Sequence, residues 1–149
     1  MVDALKREPL FRALRCDKLI LSALEATSDA YLRGGAGIPV MDMMHVSNDD
    51  LRGRAERIVA ALDGLPLVAR VGTGRAQIGG GTLPRSATPS ITLDLAHRTL
   101  KPQELANRLR EQPVPVVGYV ARNVLKLDLR TIFPRQDEDV LTALRAVSR

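Results

Sequence analysis

The chain has 149 residues, 45% apolar and 26% charged, which suits a soluble globular protein with one or two small cores. Its net charge of +5 rests on 18 Arg against 4 Lys, a balance suited to phosphate or carboxylate partners. Two Tyr, two Phe and no Trp argue against a sheet that holds single strands by base stacking; one cysteine, Cys16, rules out an internal disulfide framework.

No apolar run approaches the length of a membrane span, and the mixed-charge start Met1–Glu8 has no signal-peptide core, so a cytoplasmic protein is expected. From residue 5 to residue 33, Leu5, Leu10, Leu14, Leu21 and Leu24 recur near helical spacing and predict helix. Gly34-Gly35-Ala36-Gly37 ends it, and Ile38-Pro39-Val40 reads as a short extended segment. Ser47 is an expected N-cap, with Asp49 and Asp50 in the first turn. Leu51, Ala55, Ile58, Val59 and Leu62 give that helix its apolar face, and Gly64 stops it.

Beyond Gly64 the period changes. Pro66–Val71 and Arg75–Ile78 read as two short strands separated by Gly72-Thr73-Gly74, and Ile91–Leu95 alternates as a third. Pro102–Glu111 reads as a helix. Val114–Ala121 and Val124–Leu129 flank a hairpin turn at Arg122-Asn123, and Gln136–Val147 closes the chain as an amphipathic helix. Two helices followed by β-β-β-α-β-β-α predict an α+β fold: a small antiparallel sheet with helices on one face, its boundary within residues 34–48.

Three features stand out chemically. Gly79-Gly80-Gly81, before Thr82-Leu83-Pro84, permits either a tight structural turn or close approach of backbone to a ligand. It is neither a phosphate-binding Walker loop nor a dinucleotide fingerprint. Arg12 and Arg15, three apart, share a helix face and suit either a tetrahedral anion or plain solvation. Arg130 ends a strand on the same side as Asp128, as a surface pair or aimed at a ligand. His45 and His97 belong to no metal or triad pattern, and no nucleophile–base set can be assembled.

Pro9-Leu10-Phe11-Arg12-Ala13-Leu14-Arg15-Cys16-Asp17-Lys18-Leu19 begins a series of segments that resembles bacterial selenocysteine synthase, the L-seryl-tRNA(Sec) selenium transferase family. Leu24-Glu25-Ala26-Thr27, Ile38-Pro39-Val40, Leu51-Arg52 to Glu56-Arg57 and Gly79–Pro84 continue it in the same order. Pro115-Val116-Val117-Gly118, Leu127–Pro134 and Gln136-Asp137-Glu138 complete it. Each motif is weak by itself; the ordered series is specific and covers nearly the whole chain.

The resemblance implies an aminotransferase-like, fold-type-I enzyme that uses pyridoxal 5′-phosphate and acts as a homo-oligomer. Seryl-tRNA(Sec) and selenophosphate would be its substrates and selenocysteinyl-tRNA(Sec) its product. Residues 1–46 would be the helical tail of the large cofactor domain with a connector, and residues 47–149 the C-terminal small α+β domain. The family's Schiff-base lysine precedes the Pro9 segment by more residues than this chain holds; Lys6 and Lys18 lack its motif, so the chain alone is expected to be inactive. Arg12 and Arg15 match the family's Arg-x-x-Arg at the donor's phosphate, and Arg130 matches an arginine near the end of a small-domain strand. Gly79, Gly80 and Gly81 would frame the cofactor-site entrance, although Arg85 stands where a small residue is common. Two other readings stand beside this one: a related lyase or aldolase-like enzyme acting on a small amino acid, and a free-standing basic module that binds RNA or a partner. The leucine-rich face of residues 1–33 predicts self-association.

Overall fold

A computed structural model describes residues 2–10, 15–77 and 87–148 and divides the chain into two compact units, Met1–Asp42 and Met43–Arg149. The first contains α1 (Val2–Leu5), α2 (Lys18–Leu32) and the start of α3 (Pro39–His45). Asp17 accepts a hydrogen bond from the Ile20 amide at 2.9 Å and so caps α2. Residues 15–17 are therefore not helical, which corrects the single helix expected over 5–33 and takes Arg15 off any helix. Gly34 and Gly35, at φ of 100° and 76°, end α2, where the Gly35 amide donates to the Ala30 carbonyl at 2.9 Å. The expected extended segment at Ile38–Val40 is instead the entry to α3, for Pro39 fits the first helical position at no hydrogen-bond cost.

The second unit begins with α4 (Asn48–Ala60), capped as expected: Ser47 Oγ accepts from the Asp50 amide at 3.0 Å. Its apolar stripe of Leu51, Ala55 and Ile58 is buried. A four-stranded antiparallel sheet follows, in the order β1-β2-β4-β3, from β1 (Leu67–Gln77), β2 (Ala87–His97), β3 (Tyr119–Ala121) and β4 (Val124–Asp128). Helices α5 (Pro102–Arg110) and α6 (Asp137–Val147) join α4 against one face. Ile91, Leu93 and Leu95 alternate with polar residues along β2, and these three meet Leu125, Leu127, Leu105, Leu109 and Leu144 in one core. The α+β expectation of a small antiparallel sheet with helices on one face thus holds.

Two strand boundaries differ from the sequence reading. Gly72-Thr73-Gly74 does not separate two strands: β1 pairs with β2 without a break from Leu67↔His97 to Gln77↔Ala87. Its glycines make room across the strand, since a Cβ on Gly72 would overlap the Asp94 carboxylate and one on Gly74 would lie 2.7 Å from Thr92 Cγ2. The strand expected over Val114–Ala121 shrinks to Tyr119–Ala121, because the Val116 amide is drawn back to the Leu109 carbonyl at 3.0 Å. Gly118 then passes so close to β4 that a Cβ would stand 2.6 Å from the Lys126 carbonyl oxygen.

Candidate functional site

The sheet face opposite the helices is polar. Along β2, Ser90, Thr92 and Asp94 point to this side, next to Gly72 and Gly74 of β1 and Lys126 and Asp128 of β4. Lys126 Nζ donates to both Asp94 carboxylate oxygens at 2.6 Å, and Thr92 Oγ1 donates to Asp94 Oδ1 at 2.7 Å. Ser90 Oγ donates to Asp128 Oδ1, which also accepts from the Arg130 amide at 3.0 Å. Thr92 and Ser90 are buried even though they face away from the helical core. This hydrogen-bonded layer is what keeps two carboxylates and an ammonium half out of water. Tyr119 of β3 belongs to the same face. Although Tyr119 is 43% exposed, its partial burial raises the phenol pKa above the usual value, and the negative charges of Asp128 and Asp94 raise it further. The phenol is therefore a neutral hydroxyl at physiological pH.

An open cavity of about 550 Å³ lies on this face. Gly72, Gly74, Asp94 and Lys126 contribute to its walls, with Arg75 and Arg122 beside them. Arg122 and Asn123 form the hairpin turn expected between β3 and β4, at φ of 51° and 60°. These left-handed values are typical of a tight two-residue hairpin turn; Asn favours them, and Arg adopts them at some cost.

Arg130 lies at a different place from the one its strand position suggested. The strand ends at Asp128, whose side chain caps a 3₁₀ turn over Leu129–Thr131, and the turn swings Arg130 inward to 7% exposure. Its Nη1 donates to the carbonyls of Met43, Met44 and Val46 at 3.0, 3.3 and 2.8 Å. Its Nη2 donates to Asn48 Oδ1 at 2.8 Å and the Pro89 carbonyl at 2.9 Å. A surface pair with Asp128 is thus replaced by a clamp that fixes segment 43–48 to the start of β2. The guanidinium charge is met by carbonyl dipoles, including those of the last turn of α3.

Of the other candidate residues, Arg15 is exposed in the first unit, whereas Arg12 and Gly79, Gly80 and Gly81 lie outside the described residues. His97 serves locally: its Nδ1 accepts from the Thr99 and Leu100 amides at 3.2 Å. Among the described residues no cluster of His, Cys, Asp or Glu is arranged to hold a metal, and no helix is long and apolar enough to cross a membrane.

Sequence reasoning missed Arg54. It is buried in α4 and donates to Asp137 at 2.6 and 3.1 Å and to the carbonyls of Leu129 and Ile132 at 3.2 and 2.9 Å. The signal was available in the period: Arg54 falls three after Leu51 and four before Ile58, inside the apolar stripe.

Comparison with known proteins adds to this geometry. The family model described as L-seryl-tRNA selenium transferase matches residues 1–133. A protein of Nitratidesulfovibrio vulgaris named L-seryl-tRNA(Sec) selenium transferase is 39% identical over 150 residues, 97% of this chain and 32% of its own length. Identically named proteins of Geobacter sulfurreducens and Aquifex aeolicus are 37% identical over 153 residues and 36% identical over 135. These alignments cover 99% and 89% of this chain but 33% and 30% of the relatives. The chain therefore spans about a third of the length of the curated relatives it matches. On the strength of the match over residues 1–133, the chain belongs to the L-seryl-tRNA selenium transferase family.

Proposed function

We propose that this chain is the C-terminal portion of a selenium transferase that converts seryl-tRNA(Sec) to selenocysteinyl-tRNA(Sec) with selenophosphate, and that it needs the remainder of such an enzyme to act. The observation that carries the reading is the family match from residue 1 to residue 133. In this reading residues 47–149 are the small domain of a fold-type-I, homo-oligomeric enzyme that works in the cytoplasm. Arg12 and Arg15 bind the phosphate of the selenium donor, where two guanidinium groups suit a tetrahedral anion. Gly79, Gly80 and Gly81 border the cofactor-site entrance. Arg130 contributes by clamping segment 43–48, because its Nη donors already hold carbonyl and amide oxygens.

The proposed cofactor is pyridoxal 5′-phosphate, which acts as an electron sink at the carbon next to the seryl amine. It requires a lysine free to form a Schiff base. Lys6, Lys18 and Lys101 are exposed, and Lys126 is locked to Asp94. The lysines of this chain therefore do not fit the role, and no cofactor step is assigned to its residues.

A chimera tests the reading. The C-terminal third of the Nitratidesulfovibrio vulgaris relative is replaced by this chain, and selenocysteinyl-tRNA formation from seryl-tRNA and selenophosphate is measured. The chimera is expected to be active, and the 149-residue chain alone inactive. Replacing Arg12 and Arg15 by Ala in the chimera raises the selenophosphate KM at least tenfold and leaves the fold intact. A folded chimera that ignores seryl-tRNA but acts on a free small amino acid overturns the proposal in favour of a lyase or aldolase-like enzyme.

A further inference from the structure

We infer that Ser90, Asp128 and Arg130 are positioning residues: they brace the outer part of the β1–β2 hairpin against the end of β4. The inference rests on the proposed function, in which these two strands lead to the cofactor-site entrance.

The sheet is uneven at this end. β2 pairs with β4 only over Thr92–Leu95, whereas β1 runs beside β2 as far as Gln77↔Ala87. Gly74–Gln77 and Ala87–Ser90 therefore form a two-stranded arm with no further strand beside it among the described residues. Ile91 is buried in the core, but no side chain of the arm beyond it belongs there, and Arg75 and Gln77 are exposed. A two-stranded ribbon without an apolar face is marginal by itself, so its direction depends on what holds its base.

Two contacts hold that base. Ser90 Oγ donates to Asp128 Oδ1, and Arg130 Nη2 donates to the Pro89 carbonyl at 2.9 Å. Both partners belong to the turn that ends β4. Asp128 Oδ1 also accepts from the Arg130 amide at 3.0 Å, and Arg130 is itself fixed to Asn48 Oδ1 and the Val46 carbonyl, both at 2.8 Å. Pro89 explains why side chains take over from backbone here: without an N–H it cannot extend the β2–β4 ladder beyond Thr92↔Asp128. Ser90 is 2% exposed, so no bulk water stands ready to replace the carboxylate. Among the described residues no other hydrogen bond ties the arm to the rest of its unit; Arg75 reaches only the Ala87 carbonyl, within the arm.

The leverage of such a base is large. Strand Gly74–Gln77 reaches about 13 Å at roughly 3.3 Å per residue, so a tilt of about 10° at the base moves the far end by about 2 Å. Misplacing a group that orients substrate by on the order of 1 Å costs up to about 100-fold in rate. A brace that touches no substrate thus acts on turnover through the strands it holds.

Hydrogen–deuterium exchange of the 149-residue chain tests the brace, with S90A as the variant. Exchange over Gly74–Gln77 and Ala87–Ser90 is expected to rise about tenfold more than over Thr92–Leu95, the effect of one lost hydrogen bond on a local opening. D128N keeps an oxygen acceptor for Ser90 and the Arg130 amide and is expected to leave the arm as protected as in the parent. Equal rises in both regions mean that Ser90 adds only to overall stability and overturn the brace, as does unchanged exchange in S90A. In the chimera, S90A is expected to lower kcat about tenfold with the selenophosphate KM unchanged. An arm loosened in S90A with kcat unchanged overturns the positioning role and leaves the enzyme reading intact. An inactive parent chimera counts against the enzyme reading, while the exchange measurement still decides the brace.

Discussion

Leucines in the two units of this chain have opposite fates. In Met43–Arg149, Leu51, Leu93, Leu105, Leu125 and Leu144 are all fully buried, in a core shared by three helices and a sheet. In Met1–Asp42, helix α2 buries none of its residues, and Leu19 and Leu32 are 81% and 82% exposed. Composition does not separate the units, since both are rich in leucine with interspersed charge. What separates them is a second layer: an amphipathic helix is stable when something covers its stripe, and α2 has no such partner among the described residues of its own unit. The second unit carries its own fold, and the first displays an apolar surface of the kind that marks an interface.

The contrast is easiest to break by truncating one leucine from each unit. Leu93→Ala empties a fully buried site in the core and is expected to cost about 3–4 kcal/mol in urea unfolding. Leu24→Ala, at a position 61% exposed, is expected to stay within about 0.5 kcal/mol. A loss of several kcal/mol for Leu24→Ala would mean that α2 is covered in solution. Sedimentation at rising concentration then separates a second copy of the chain from an internal partner, since only a copy makes the covering concentration-dependent.

Arginines sharpen the comparison further. Arg130→Met keeps much of the side-chain volume but strands the carbonyls of Met43, Met44, Val46 and Pro89, and is expected to cost about 3 kcal/mol. Arg130→Lys rescues little, because one ammonium cannot span acceptors on both sides of a planar fork. Arg15→Ala in the first unit, at an exposed position, leaves the unfolding midpoint unchanged. A midpoint for Arg130→Met equal to that of the parent would remove the clamp from the account of the fold.

These residues also mark what could be read in the sequence. Ser47, Asp49 and Asp50 announced α4, and the alternation Ile91-Thr92-Leu93-Asp94-Leu95 announced a strand polar on one side, because capping and pleating are local. The α2 start was missed because Asp17 interrupts a leucine period that otherwise runs on, and one cap outweighs the period. Gly72-Thr73-Gly74 looked like a turn; its glycines answer to Asp94 and Thr92, about twenty residues away. Arg130 looked like a strand-end cation, yet its acceptors lie more than 40 residues distant, at Pro89 and Val46. Long-range geometry of this kind leaves no local pattern. The polar face was half legible, since its residues were visible strand by strand while the register that gathers Asp94, Lys126 and Tyr119 was not.

The smallest expected effect concerns the two phenols, one in each unit. Tyr119 has its pKa raised by burial first and then by the Asp128 and Asp94 charges, so the folded state resists its ionisation. Below the pKa of an unfolded tyrosine, about 10, both states hold the proton and the group has no effect on stability. As pH rises past that value the unfolded state loses its proton first, and folding weakens until the raised folded pKa is passed. In a Tyr31→Phe background Tyr119 is the only phenol, and its phenolate absorbance is expected to appear at higher pH in the folded chain than in urea. Asp128→Asn should bring the two titrations closer, because it removes the larger of the two charge effects while burial remains. Coincident titrations in the parent would mean that Tyr119 is fully hydrated and does not belong to the layer built by Ser90, Thr92 and Lys126.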